Sequence, residues 1–309
     1  MINSLRFKNI KLFLILLVCL FTTSCNEVPN STNFKFNGDR AFKEVSELIK
    51  FSPRDAGTKN GHLAAYHIAT KLKKIGLKVI IDEFIDNTPI GSKKMINILG
   101  YLPGKSDKWI ILGSHFDTMP GIPNFKGAND SGSSTGVLIE MARLLNNYEL
   151  NHGLIFAFFD GEEGIANYVP GDGLHGSRRF AKQIYKSGNK NKYIAMILLD
   201  MIGDKDLTYT IPSNSDKYLK EILIESSKKL NIRNLIELLD HIVIIDDHVP
   251  FSNIGIPSID IIDFKYGSTK DKNDYWHTEK DSLINISSNS LRITAELTLE
   301  MLNHLGVFY

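Results

Sequence analysis

The chain has 309 residues, 43% of them hydrophobic and 23% charged, a composition with ample material for one large α/β core. Its net charge of +1 carries no basic footprint, so nucleic acid is not expected as a partner. Both cysteines, Cys19 and Cys25, lie near the start. The rest of the chain therefore has no disulfide of its own, and its stability must come from the core and from any metal it binds.

Arg6, Lys8 and Lys11 precede a short apolar run, Leu12 to Phe21, and Thr22-Thr23-Ser24-Cys25 follow. A positive head, an apolar core too short for a comfortable membrane span and small residues after it read as a secretory signal over residues 1–24. The segment resembles a bacterial lipoprotein signal, with Cys25 as the lipidated first residue of the mature chain. That resemblance implies an exported protein that faces the periplasm or cell surface and touches the membrane only through its lipid. Residues 25–38 are polar and read as a tether, leaving 39–309 as one catalytic domain.

Phe42, Val45, Leu48 and Ile49 recur at helical spacing before Pro53, and Ala65, Ile68, Leu72 and Ile75 do so before Gly76. Leu77 to Phe84, Ile96 to Leu102 and Trp109 to Leu112 read as strands. A helix follows with Val137, Met141, Leu144 and Leu145 on one face. The run Leu154 to Phe159 is a buried strand, and it ends in Asp160-Gly161-Glu162-Glu163. Gly176 to Tyr185 and Tyr218 to Leu230 read as helices. Tyr193 to Met201, Ile242 to Ile245 and Ile259 to Ile262 read as strands, and Ile293, Leu297, Met301 and Leu305 as a closing helix. This alternation predicts a single α/β domain with a central, mostly parallel mixed sheet flanked by helices on both faces.

Acids and imidazoles stand just after the apolar runs. His115 and Asp117 follow one strand, Glu162 and Glu163 another, Asp200 a third, and Asp246, Asp247 and His248 follow His241 to Ile245. Asp130 sits in a Gly- and Ser-rich turn, and His277 follows Trp276 in a loop. Any one of them alone reads as a surface group. Open α/β sheets bring strand ends to one edge, so together they converge. The donor set suits Zn²⁺, which takes His nitrogen and carboxylate oxygen and keeps one position open in catalytic sites. Asp117 is placed to receive the second ring N–H of His115.

Gly113-Ser114-His115-Phe116-Asp117, Gly127-Ala128-Asn129-Asp130-Ser131-Gly132, Phe158-Phe159-Asp160-Gly161-Glu162-Glu163, Leu198-Leu199-Asp200-Met201-Ile202-Gly203 and Trp276-His277-Thr278, in this order, resemble the zinc exopeptidase (aminopeptidase) family. The two-zinc pattern of that family implies His115, Asp130, Glu163, Asp200 and His277 as ligands, Asp130 as the bridge and Glu162 as general base. Its glutaminyl-peptide cyclotransferase branch is the more similar. The residues Gly164 to His175 before Gly176-Ser177-Arg178, the run Asp246-Asp247-His248-Val249-Pro250-Phe251 and Trp276 before His277 all point there. The cyclase resemblance implies one zinc, with two still open, held by Asp130, Glu163 and His277. It makes Glu162 the proton shuttle beside an acidic pair, Asp200 and Asp246, and it places Trp276, Tyr168 and Asp260 at the substrate. Tyr168 stands where the branch usually has Trp, and Asp260 where animal members have His. The implied substrate is the N-terminal Gln of a peptide or protein, which closes to pyroglutamate with release of ammonia. The alternative, hydrolysis of N-terminal peptide bonds, uses the same residues with two zincs.

Overall fold

Four strands form the middle of the sheet: β3 (Trp109–His115), β4 (Gly153–Phe159), β5 (Tyr193–Asp200) and β8 (Ser258–Ile262). They pair in parallel in the order β4-β3-β5-β8. Every residue of β4 and β8 is buried. That explains why these segments read as continuous apolar runs rather than alternating ones. The computed structural model describes residues 34–166 and 171–309.

The full sheet has eight strands in the order β1-β2-β4-β3-β5-β8-β6-β7. The antiparallel hairpin β1 (Lys78–Thr88) and β2 (Gly91–Leu102) joins on the β4 side. The short strands β6 (Tyr209–Pro212) and β7 (Ile236–Leu239) extend the β8 side. One face is covered by α1 (Gly38–Leu48), α2 (Lys59–Ile75), α3 (Gly132–Leu145), α5 (Lys217–Lys229) and α7 (Ser288–His304). The other carries α4 (His175–Lys186) and α6 (Val249–Asn253), with Phe180, Ile184 and Phe251 packed on Ile111, Ile155, Phe159 and Leu198. The helix limits follow local signals. Asn37 caps α1 by accepting from Arg40 N, Thr58 caps α2 by accepting from Gly61 N, and Gly76 ends α2 at φ +108°. No helix among the described residues is long and apolar enough to cross a membrane.

The structure corrects three expectations. Ile242 to Ile245 is a loop, and the strands on that side are β6 and β7. A short apolar run has no periodicity that separates a core strand from a loop facing a cavity. The hairpin also runs further than its apolar residues, because Ile85 to Thr88 and Gly91 to Lys94 pair through the backbone while largely exposed. Finally, residues 34–38, expected to belong to a tether, are packed on the domain. Phe34 and Phe36 are buried, Phe34 against Tyr148 and Phe308, and Gly38 opens α1.

Candidate active site

The parallel strands deliver their carboxyl ends to one edge, and the ionisable groups gather there. His115 is the last residue of β3 and Asp200 the last of β5. Glu162 and Glu163 follow β4 after Asp160, whose side chain accepts from Ile96 N and ties this turn to β2. Asp117 accepts the backbone N–H groups of Glu162 and Glu163, both at 3.2 Å, and lies 3.5 Å from His115 Nδ1. One buried carboxylate thus orients a ring and the Glu-Glu turn together, a wider task than its sequence position suggested.

Asp130 lies between two imidazoles. Its Oδ1 is 3.2 Å from His115 Nε2, and its Oδ2 is 3.3 Å from His277 Nε2. His277 Nε2 is also 3.1 Å from Glu163 Oε1, and His115 Nε2 is 3.3 Å from Asp200 Oδ1. Two groups with metal-ligand geometry result, Asp130-Glu163-His277 and His115-Asp130-Asp200, sharing Asp130. Ligands about 2.0–2.2 Å from a tetrahedral zinc stand roughly 3.3–3.6 Å apart, close to these separations. Buried Asp130 Oδ2 and Asp200 Oδ1 have no hydrogen-bond partner among the described residues, as expected of atoms reserved for a cation. The residues present therefore fit zinc, and both groups fit equally well.

The charges follow from burial and from these neighbours. Burial pushes the Glu163 carboxyl up to about 7, with Asp130 adding to the rise and His277 opposing it. Burial also acts against ionised Asp130, but His115 and His277 outweigh it and hold the carboxyl well below the usual range. Burial opposes the charged His277 ring, and Asp130 and Glu163 overcome it, raising the ring to about 10. Burial raises Glu162 well above its usual value, with Asp246, Glu163 and Asp247 raising it further against His115. Asp246 is raised by burial, by Asp200 and by Asp247. Burial and neighbouring charge thus favour the charged form of the rings beside Asp130 and the protonated form of the carboxyls around Glu162 and Asp246.

These residues open into one cavity of about 770 Å³. Asp130, Glu162, Glu163, Asp200, Asp246 and His277 line one part of it, with Trp276 beside them. Trp276 stacks on the His277 ring at 4.1 Å and packs on Phe264 at 5.0 Å. His277 itself adopts φ +52°, a left-handed conformation that costs a non-glycine residue roughly 1–3 kcal/mol and is found where a site demands it.

One expected substrate residue is not placed there. Asp260 is fully buried on β8 and is not part of the cavity lining. It lies 4.0 Å from His248 and feels Asp246 and Asp200. Its strand position is even-numbered relative to Ile262, which does line the cavity, but it lies deeper in the sheet. Tyr168 falls outside the described residues. Conversely, two residues important to the site had no role assigned from the sequence. Asp281 accepts from Asn129 N at 2.7 Å, Asp130 N at 3.0 Å and Tyr266 Oη at 3.0 Å. Fully buried Arg54 donates to the carbonyl oxygens of Phe116, Lys126 and Gly127. Between them they clamp the loop that presents Asp130. A lone Asp in a polar loop or a lone Arg in a turn carries no local sign of this.

Comparison with known proteins agrees with the geometry. Residues 97–302 match the model of Peptidase family M28. A glutaminyl cyclase of an Acidobacteriales bacterium is 35% identical, superposes with a TM-score of 0.81 and covers 88% of this chain and 95% of its own. A leucine aminopeptidase precursor of Bacteroides thetaiotaomicron is 27% identical at a TM-score of 0.75, covering 86% of this chain and 97% of its own. The glutaminyl-peptide cyclotransferase of Drosophila melanogaster is 26% identical over 257 residues, 74% of this chain and 71% of that protein. With its strand-end ligands, its sheet and these matches in accord, the chain belongs to peptidase family M28.

Proposed function

We propose that the protein is a zinc-dependent glutaminyl-peptide cyclotransferase acting on peptides or proteins with N-terminal Gln. The observation that carries this reading is one cavity wall on which Glu162, Asp200 and Asp246 lie together beside Asp130, Glu163 and His277. Cyclisation needs a proton taken from one nitrogen and delivered to another, and a carboxyl group backed by further acids suits that double transfer. A zinc ion held by Asp130, Glu163 and His277 would supply Lewis-acid polarisation of the side-chain amide oxygen.

Glu162 removes a proton from the substrate's α-amine, and that nitrogen forms a bond to the side-chain carbonyl carbon. The carbon–nitrogen bond of the amide then breaks, and Glu162 returns the proton to the departing nitrogen, which leaves as ammonia. No water is consumed, and Trp276 over His277 shields the reacting atoms on one side. Asp117 keeps the Glu162-Glu163 turn in place through its two backbone N–H groups. Asp246, raised well above its usual range by burial and by Asp200 and Asp247, backs Glu162 with a second carboxyl that favours its protonated form.

A second reading is supported by the His115-Asp130-Asp200 group and by the aminopeptidase neighbour. With two zincs, Glu162 would deprotonate a water molecule that hydrolyses the N-terminal peptide bond. The test is to incubate the zinc-loaded protein with Gln-peptides and with aminoacyl amides. Ammonia release with pyroglutamyl product is expected from the former. Release of free amino acids without pyroglutamate would overturn cyclisation, and metal analysis would then give two zincs per chain rather than one.

We also propose that the protein is exported and anchored through lipid on Cys25, on the strength of the basic head, apolar run and small residues before it. These positions lie outside the described residues. Labelling of the expressed protein with radioactive fatty acid, lost in Cys25→Ser, checks this, and an unlabelled membrane-free wild type would refute it.

A further inference from the structure

The cavity extends well beyond the groups that handle protons and metal. Its outer part is formed by Leu239 and by Ile242, Val243, Ile244 and Ile245, the apolar run that does not become a strand. Ile242, Val243 and Ile245 are 54%, 62% and 59% exposed. Leaving that much apolar surface in water costs about 25 cal/mol per Å², and contiguous patches of this kind mark binding sites. The loop is also built rather than loosely draped. Asn214 donates to Ile244 O at 2.8 Å and accepts from Ile244 N at 3.3 Å, and Ser213 N donates to Ile242 O at 2.8 Å. With its backbone held in this way, the loop presents its side chains to the cavity.

Phe264 and Trp276, whose rings pack together, add aromatic surface to the same cavity. Among the cavity charges away from the centre, Lys265 and Glu237 pair at 2.6 Å and cancel, so a charged ligand group gains little there. Cyclisation engages only the α-amine and side chain of the first residue. The rest of the peptide must leave the centre through the remaining cavity. An extended chain advances about 3.3–3.6 Å per residue, so the second side chain is the next group to meet the walls. The 770 Å³ volume, in the range of about 300–1,000 Å³ typical of ligand pockets, has room for more than a single Gln.

We propose that the Ile242–Ile245 loop is the subsite for the second residue of the substrate and selects N-terminal Gln followed by a large apolar side chain. This rests on the cyclisation reading. It follows that Gln-Leu and Gln-Phe substrates bind through apolar surface that Gln-Gly, Gln-Asp and Gln-Lys substrates cannot cover. The experiment is ammonia release from a peptide series Gln-Xaa-Ala-Ala-amide with Leu, Phe, Gly, Ser, Asp and Lys as the second residue. The expected kcat/KM for Leu and Phe is about tenfold above that for Gly and Ser, mainly through KM, with Asp and Lys no better than Gly. In the double variant Val243→Ser, Ile245→Ser the Leu-to-Gly ratio is expected to fall to about twofold or less. Ile284→Ser, an exposed residue outside the cavity lining, keeps the wild-type ratio. A flat wild-type series with ammonia released throughout overturns the subsite and leaves cyclisation standing. No ammonia from any member overturns both.

Discussion

The Asp130 loop and the Asp246 loop border the same cavity, yet they handle buried charge in opposite ways. Around Asp130 the backbone of the loop is tied down by charged side chains. Arg54 saturates three backbone carbonyls, Asp281 receives two backbone N–H groups and a tyrosine hydroxyl, and the two imidazoles share the Asp130 oxygens. Burial lowers even the Arg54 guanidinium, to about 10, with Asp281, Asp130 and Asp117 supporting its charge. Around Asp246 the neighbours are other acids. Asp246 faces the charges of Asp200 and Asp247, and neither buried oxygen of Asp260 has a hydrogen-bond partner among the described residues. A satisfied network holds one geometry, whereas crowded buried carboxyls hold protons instead of charge. The first loop therefore fixes the geometry of the candidate metal ligands, and the second favours protonated carboxyls.

The largest expected effect falls on the proton-handling side. Glu162→Gln keeps the shape but cannot carry a proton, and kcat for ammonia release is expected to drop about 10³-fold, within the usual span for general acid–base groups. Zinc content, read by metal analysis, should remain that of the wild type. Retained turnover would mean that the acidic group is structural and the contrast between the loops is empty.

His248 sharpens the same side. It is fully buried, and burial lowers its ring from the usual 6.5 to about 4. Asn214 Nδ2 lies 3.0 Å from its Nε2, consistent with a neutral ring that accepts there. The unfolded chain binds this proton below about pH 6.5, while the folded chain refuses it until about pH 4. Stability from this group is thus complete above pH 6.5 and is lost as pH falls to 4, about 3 kcal/mol in all. Denaturant unfolding of wild type and His248→Asn at pH 7 and pH 4.5 checks it. The two stabilities should converge at the lower pH, and a constant offset would refute the assignment.

The smallest effect tests the geometric side. Asp281→Asn keeps the size and one acceptor but loses one of the carboxylate contacts to the Asp130 loop. Zinc affinity, measured by chelator competition, is expected to weaken about 10–100-fold, as when a partner that orients a ligand is lost. A shift in unfolding temperature with unchanged zinc affinity would make Asp281 a fold residue only.

Much of the site was legible in one dimension. His115, Glu162, Glu163 and Asp200 stand where buried strands end, and apolar runs of this length announce themselves locally. Asp130 and His277 came from motif order, and the structure brings both to the strand-end group. The longer helices, α1 to α5 and α7, were equally readable, because apolar residues at helical spacing mark them locally, whereas the short α6 was not read.

Other features depended on contacts far apart in the chain. Asp281 reaches Asp130 across 151 residues, and Arg54 reaches Gly127 across 73, so no local pattern carries either pairing. The fate of Ile242 to Ile245 turned on which segments took the places beside β8. Once β6 and β7 filled that edge, the run was left on a loop held by Asn214 and turned toward the cavity. Asp260 shows the same limit from the opposite direction. The cyclase resemblance implied a substrate contact for it, and packing of β8 between β5 and β6 buries it instead. The sequence by itself determined which residues could bind metal and move protons, since residue type and strand ends are local properties. Only the tertiary structure decided which partners orient them and which apolar surface remains open, since those depend on what the folded chain places alongside.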